Sequence, residues 1–146
     1  MRRAVFIGIV SLFAVSGALG QLPANPLEGT WEMVSQHVVY PDSTVDRTDQ
    51  IPYTIKILNS THFAFGRQIL DEEVFAGGGT YSFDGETYTE HITWHSSAGL
   101  AGQSVVFEAR VEGDTWYHVG HILDFRLEEV WNRIGSSGEA AEEEME

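Results

Sequence analysis

Alternation of apolar and polar residues, interrupted by short turn sequences, runs through most of this 146-residue chain. A period of two residues is typical of half-buried β-strands, and no long segment has the 3.6-residue period of an amphipathic helix. Three connections suit two-residue hairpins, namely Asn59-Ser60, Asp84-Gly85 and Gly113-Asp114. The pattern therefore predicts an all-β protein in which consecutive strands pair antiparallel.

Eight strands are predicted between the turn sequences. They are Thr30 to Val39, Pro52 to Leu58, Thr61 to Arg67, Gly77 to Phe83, Glu86 to His95, Ser104 to Glu112, Thr115 to Ile122, and Arg126 to Ile134. A meander of this size can pair its first strand with its last, which removes exposed edges and gives an up-and-down barrel wide enough for one small ligand. An open sandwich filled by side chains is the alternative architecture.

The two ends of the chain differ from this central region. Residues 1–20 combine Arg2 and Arg3, an apolar stretch and the small-residue triplet Ala18-Leu19-Gly20. This order is typical of a cleaved secretory signal peptide, although a membrane anchor is the alternative for a stretch of this length. Residues 135–146 contain five glutamates and predict a disordered acidic tail. We expect a barrel domain at 21–134, in the periplasm or secreted, with no stable membrane insertion after signal removal.

Composition excludes several functions. The chain has no cysteine, which excludes disulfides, thiolate zinc sites, Fe–S clusters and cysteine nucleophiles. Its formal net charge of -14 disfavours nucleic acid and anionic membrane surfaces as partners. No cofactor is expected, and we expect no metal site because no His-x-His falls on a predicted inner face.

Several short motifs carry a resemblance to a known family. Gly29-Thr30-Trp31 opens the first strand, and Arg133 lies near the end of the last strand. The first motif resembles the Gly-x-Trp signature of lipocalin (calycin) barrels, in which an arginine packs over the tryptophan at the barrel floor. The segments Thr61 to Phe63, Gly78 to Tyr81, Asp84 to Glu90 and Glu128 to Trp131 further resemble exported bacterial lipocalin-like domains. The resemblance implies the barrel and an interior cavity, but it does not identify a ligand.

Strand pairing also predicts which side chains face inward, because residues opposite each other across a tight turn share a face. For the hairpin at Asn59-Ser60 we expect Tyr53 and His62 inside, with Phe63 and Phe65 outside beside Lys56. The predicted ligand-binding residues are His37, Tyr53, His62, Tyr81, Tyr88, Glu90, Trp94, Trp116, His118 and Glu129. A carboxylate among aromatic rings is costly unless it is paired or protonated, so Glu90 and Glu129 need a structural or functional partner.

Two functions fit this interior. The first is a binding protein that holds a small hydrophobic or aromatic molecule. The second is an isomerase, cyclase or lyase in which the candidate catalytic residues Glu90 and His118 move a proton. A third alternative is a barrel without a specific ligand that acts through its outer face. Residues 41–51 and 96–103 are expected to lie at the barrel mouth as a lid.

Overall fold

A computed structural model of the protein describes residues 25–69 and 74–135, which form nine β-strands. The strands are β1 (Gly29–Val39), β2 (Thr44–Asp46), β3 (Thr54–Leu58), β4 (His62–Gln68), β5 (Val74–Phe83), β6 (Thr87–His95), β7 (Ser104–Glu112), β8 (Thr115–Ile122) and β9 (Phe125–Ile134). All eight predicted strands are present, and β2 is an additional short strand. The predicted signal peptide and all but the first residue of the predicted tail lie outside the described residues.

The strands form one closed antiparallel barrel. Neighbouring strands follow the order β2-β1-β3-β4-β5-β6-β7-β8-β9, and an additional β1–β9 pairing closes the sheet. The first half of β1 pairs with β3, and its second half pairs with β2, which therefore extends the sheet beside the eight-stranded barrel. The predicted up-and-down barrel is confirmed, and the open sandwich is wrong. Within the described residues, no helix is long and apolar enough to cross a membrane.

The two ends of the barrel are built differently. At one end, short turns join β3 to β4, β5 to β6 and β7 to β8, and three tryptophans, Trp31, Trp116 and Trp131, fill the interior. The Trp31 and Trp116 rings meet edge to face at 5.4 Å. Arg133 covers this floor, because its guanidinium lies 4.1 Å from the Trp31 ring centroid and donates to the carbonyls of Glu28 and Pro26. The longer connections lie at the opposite end, which is open.

Two β-bulges change which side chains face inward. On β1 the register shifts between Met33 and Ser35. On β6 the register shifts opposite Gly78 and Gly79, where a Cβ on Gly79 would lie 2.0 Å from the carbonyl oxygen of His91. Because a bulge places one extra residue on its strand, every side chain beyond it moves to the other face.

Candidate functional site

The interior between the tryptophan floor and the open end holds a cavity of about 320 Å³. Its apolar lining consists mainly of Met33, Val38, Phe65, Phe75, Ile92, Leu100, Phe107, Ile122, Phe125 and Leu127. Its polar lining consists mainly of Gln36, Arg47, Thr54, Lys56, Arg67, Glu90, His95 and Glu129. A mostly apolar concave site with a few converging polar groups is the usual form of a small-molecule site.

At the base of the cavity, a buried ion pair joins β3 to β6. The ammonium of Lys56 lies 2.7 Å from Oε1 of Glu90, and both side chains are almost fully buried. The hydroxyl of Tyr88 donates to the same oxygen at 2.9 Å. Burial raises the pKa of Tyr88 well above its usual range, and the charge of Glu90 makes a smaller contribution in the same direction. The phenol therefore remains protonated and can donate a hydrogen bond.

The Lys56 ammonium is also enclosed by aromatic rings. Five ring centroids lie 5.0 to 5.9 Å from its nitrogen, and they belong to Phe63, Phe65, Tyr88, Trp116 and Trp131. The negative faces of aromatic rings attract a cation, most strongly where water is excluded. Together with Glu90, this enclosure offsets the cost of removing the ammonium from water.

A second buried carboxylate, Glu129, lies on β9. It accepts hydrogen bonds from His118 at 2.5 Å, from the amide of Gln36 at 2.7 Å and from the indole of Trp131 at 3.2 Å. Burial alone would raise the pKa of Glu129, but the hydrogen bond from His118, the charges of His118 and Lys56, and the Gln36 amide lower it to about 2. Burial also lowers the pKa of His118, against the opposing effect of Glu129. Near neutral pH the pair is therefore an ionised carboxylate and a neutral imidazole.

His118 and Glu129 are not part of a metal-binding site among the described residues. No three His, Asp or Glu side chains in residues 25–69 and 74–135 are placed to hold one metal ion. The Nδ1 atom of His118 has no hydrogen-bond partner among these residues and is buried. The ring of His118 stacks on Phe107 with centroids 4.4 Å apart. His118 is thus packed beneath the cavity, whereas Glu129 forms part of its lining.

Two arginines converge higher in the cavity. Arg67 lies on β4, and Arg47 lies just after β2. Each donates to the side-chain oxygen of Gln36, Arg47 at 2.9 Å and Arg67 at 3.2 Å. Arg67 also donates to the hydroxyl of Thr54 at 2.9 Å. Because the Gln36 amide nitrogen donates to Glu129, its oxygen points to the two guanidinium groups.

Six of the ten predicted ligand-binding residues point inward as expected. They are Tyr81, Tyr88, Glu90, Trp116, His118 and Glu129, all of which are buried. Only Glu90 and Glu129 line the cavity, and the others belong to the layer beneath it. Tyr81, for example, donates its hydroxyl to the Asn59 carbonyl and accepts from Asn25. Their inward orientation is confirmed, whereas their predicted contact with a ligand stays a prediction.

The predicted inward orientation of His37 and Trp94 is wrong because of the two bulges. The bulge on β1 places Gln36 and Val38 inside and leaves His37 on the outer face. The bulge on β6 places His95 in the cavity lining, while Trp94 is 49% exposed and packs over Gly78 outside.

The predicted inward orientation of Tyr53 and His62 is wrong for a different reason. The grouping of Lys56 with Phe63 and Phe65 on one face is correct, but that face is the inner one. Tyr53 is 59% exposed, and His62 is exposed with Nδ1 at 2.7 Å from the Thr61 hydroxyl. Burial of two phenylalanines outweighs the cost of enclosing one lysine, because Glu90 compensates its charge.

Sequence reasoning missed most of the polar cavity lining. The missed residues are Gln36, Arg47, Thr54, Lys56, Arg67 and His95. A usable signal for two of them was the pair Phe63 and Phe65, which should select the inner face of β4 and thereby place Lys56 and Arg67 inside. The bulges that move Gln36 and His95 have no clear turn sequence, although the Gly77-Gly78-Gly79 run opposite one of them permits a close approach.

The closed barrel, the tryptophan floor under Arg133 and the cavity open at one end together define a lipocalin-like fold. A lipocalin-like protein from Bacteroides uniformis ATCC 8492 is similar in structure, with a TM-score of 0.51 and 11% identity over 75% of this chain and 99% of the other. An uncharacterized protein from Bacteroides eggerthii DSM 20697 gives a TM-score of 0.45 at 12% identity, over 73% and 98% of the two chains. No family model and no curated protein matches the sequence. The likeness therefore concerns the fold.

Proposed function

We propose that this lipocalin-like barrel binds one small hydrophobic or aromatic molecule in its interior cavity. The observation that carries this proposal is the open cavity of about 320 Å³, which combines a mostly apolar lining with a few fixed polar side chains. Its volume lies near the lower end of the range for small-molecule sites, roughly 300 to 1,000 Å³, which favours a compact ligand. We also propose that the protein is exported, on the basis of residues 1–20 of the sequence.

The arrangement of the acids favours binding over the alternative of an isomerase, cyclase or lyase. Glu90 already accepts from Lys56 and Tyr88 through one oxygen, and Glu129 already accepts from His118 and Gln36. His118 is fully enclosed beneath the cavity and is not part of its lining. A general base needs direct reach to a substrate proton, whereas a binding site needs fixed polar groups and apolar walls.

A neutral fluorescent probe tests the proposal. We expect N-phenyl-1-naphthylamine to bind the protein saturably, with one site per chain, in a fluorescence titration. Ile122→Trp, which fills space in the cavity lining, should weaken binding at least tenfold. Val106→Trp on the outer face, where Val106 is 54% exposed, is the matched control and should leave binding unchanged. Absence of saturable binding, or equal binding by the two tryptophan variants, would contradict an interior site.

Native mass spectrometry of protein purified from its own host adds a direct readout. A retained organic ligand supports the binding proposal. If a retained compound is instead converted to a product, the variant Glu90→Gln separates the two functions. It should change affinity only modestly in a binding protein and abolish turnover in an enzyme that uses Glu90.

A further inference from the structure

The arginines of the described chain fall into two groups. Arg110, Arg126 and Arg133 each pair with a carboxylate, and all three lie outside the cavity lining. Arg47 and Arg67 line the cavity, and neither is within ion-pair distance of a carboxylate among residues 25–69 and 74–135. In a chain with 22 acidic residues against 8 basic ones, this exception is informative.

The two cavity arginines share one neutral acceptor. Both guanidinium groups donate to the side-chain oxygen of Gln36, and each guanidinium carries five N–H donors. Arg67 places further donors on the Thr54 hydroxyl and the Met33 sulfur. The single amide oxygen of Gln36 cannot accept hydrogen bonds from all the N–H donors of two guanidinium groups. The planar arrangement of these donors matches the two oxygens of a carboxylate.

Charge inside the cavity is also unbalanced. Three cationic side chains, Arg47, Lys56 and Arg67, line it together with two carboxylates, Glu90 and Glu129. Within the described residues this leaves an excess of one positive charge. Burial lowers the pKa of Arg67, the charge of Glu129 opposes this effect, and the nearby charge of Arg47 adds a smaller lowering. An anion at this position would relieve the repulsion between the guanidinium groups.

The remaining lining suits the uncharged part of such a molecule. Ile92, Leu100, Ile122, Phe125 and Leu127 come from β6, the β6–β7 connection, and the β8 and β9 end of the barrel. The arginines come from β4 and from the segment after β2. The cavity thus offers one ligand both apolar contacts and a pair of guanidinium groups, those of Arg47 and Arg67.

We propose that the ligand of this cavity is a monoanion, a carboxylate on a compact apolar or aromatic body, whose two oxygens are held by Arg47 and Arg67. The inference rests on the proposed binding function and specifies the chemical class of ligand. A ligand with one negative charge balances the excess positive charge of the lining. The apolar body contacts the apolar part of the lining that includes Ile92, Ile122 and Leu127.

An isosteric pair of probes tests the proposal by isothermal titration calorimetry. We expect 2-naphthoate to bind the wild-type protein at least about tenfold more tightly than 2-naphthamide, which has the same shape and no charge. Arg47→Gln and Arg67→Gln should each remove most of this preference, because they should weaken the binding of the carboxylate much more than that of the amide. Arg126→Gln, at a partly exposed surface pair with Glu128, is the matched control and should retain the preference.

The outcomes separate this proposal from the proposed function. Equal affinity for the two naphthyl compounds, or a preference that persists in both arginine variants, would overturn the proposal that Arg47 and Arg67 bind a carboxylate. Neither result would contradict the proposed binding of a small molecule in the cavity. Failure of N-phenyl-1-naphthylamine to bind would overturn the cavity function itself. Since Arg67 also donates a hydrogen bond to Thr54, circular dichroism should confirm that Arg67→Gln is folded. Arg47→Gln provides a second, independent measurement of the preference for the carboxylate.

Discussion

The closed end and the open end of the barrel differ in how their interior is filled. The closed end joins its strands by short turns and fills its interior with three packed tryptophans beneath Arg133. The open end uses longer connections, except for the short turn between β8 and β9, and brings charged side chains to a cavity. Rigid packing at one end can support a pre-organised set of polar groups at the other. Four predictions, taken from the largest effect to the smallest, test this division.

Trp31→Ala should cause the largest loss of stability. Trp31 is fully buried in the floor, and removal of a large aromatic side chain from a core costs about 3 to 5 kcal/mol. Trp94→Ala removes the same atoms from the outer face near the open end and should cost less than about 1 kcal/mol. Urea unfolding followed by circular dichroism measures both. Similar losses would show that the floor is not the better-packed region.

Lys56→Met should destabilise the protein by about 3 kcal/mol, because it leaves the Glu90 carboxylate buried without its cation. The double variant Lys56→Met with Glu90→Gln should recover much of this loss. Glu112→Gln breaks the exposed pair with Arg110 and should change stability by less than about 0.5 kcal/mol. An equal effect at the two pairs in urea titrations would contradict the distinction between interior and surface.

Acid should weaken the buried pair of Glu129 and His118 at the base of the cavity. Because folding lowers the pKa of Glu129 from 4.5 to about 2, its stabilisation is complete above pH 4.5 and is lost as the pH falls toward 2. The loss from this group amounts to about 2 kcal/mol at pH 3 relative to pH 7. The lowered pKa of His118 acts in the same direction, since its unfolded form takes up a proton first as the pH falls below 6.5.

Urea unfolding at pH 7, 5 and 3 measures this dependence, with Glu129→Gln as the comparison. The variant should be less stable at pH 7 and should lose less stability between pH 5 and pH 3. A parallel loss in both proteins would assign the acid sensitivity to other groups.

Arg133→Lys should have the smallest of these effects, about 1 kcal/mol. Lysine keeps the charge but loses the planar fork that contacts two carbonyls and stacks on Trp31. Arg126→Lys at the surface is the matched control and should change the thermal midpoint little. If both changes are neutral, Arg133 does not tie the floor to the chain that precedes β1.

Much of the fold could be predicted from the sequence, because alternation and hairpin turns are local signals. The hairpin at Asp84-Gly85 correctly grouped Tyr81, Tyr88 and Glu90 on the inner face. The resemblance of Gly29-Thr30-Trp31 and Arg133 to the lipocalin motif also implied a barrel with a tryptophan at its floor.

The polar part of the site was harder to predict. The bulges on β1 and β6 depend on how neighbouring strands fit together, so periodicity alone could not place Gln36 and His95 inside. Lys56 is acceptable in the interior only with Glu90 from another strand, and such long-range compensation is not visible in local sequence. Arg47 lies outside any predicted strand, and alternation says nothing about its direction.

The position of Lys56 has a practical consequence for labelling. It is the only lysine of the chain, so the protein carries a single ε-amine, and that amine lies inside the barrel. An amine-directed reagent reaches it through the open end of the cavity. The rate of ε-amine modification thus reports how far the cavity is open, and an occupant that fills the cavity should protect this one atom.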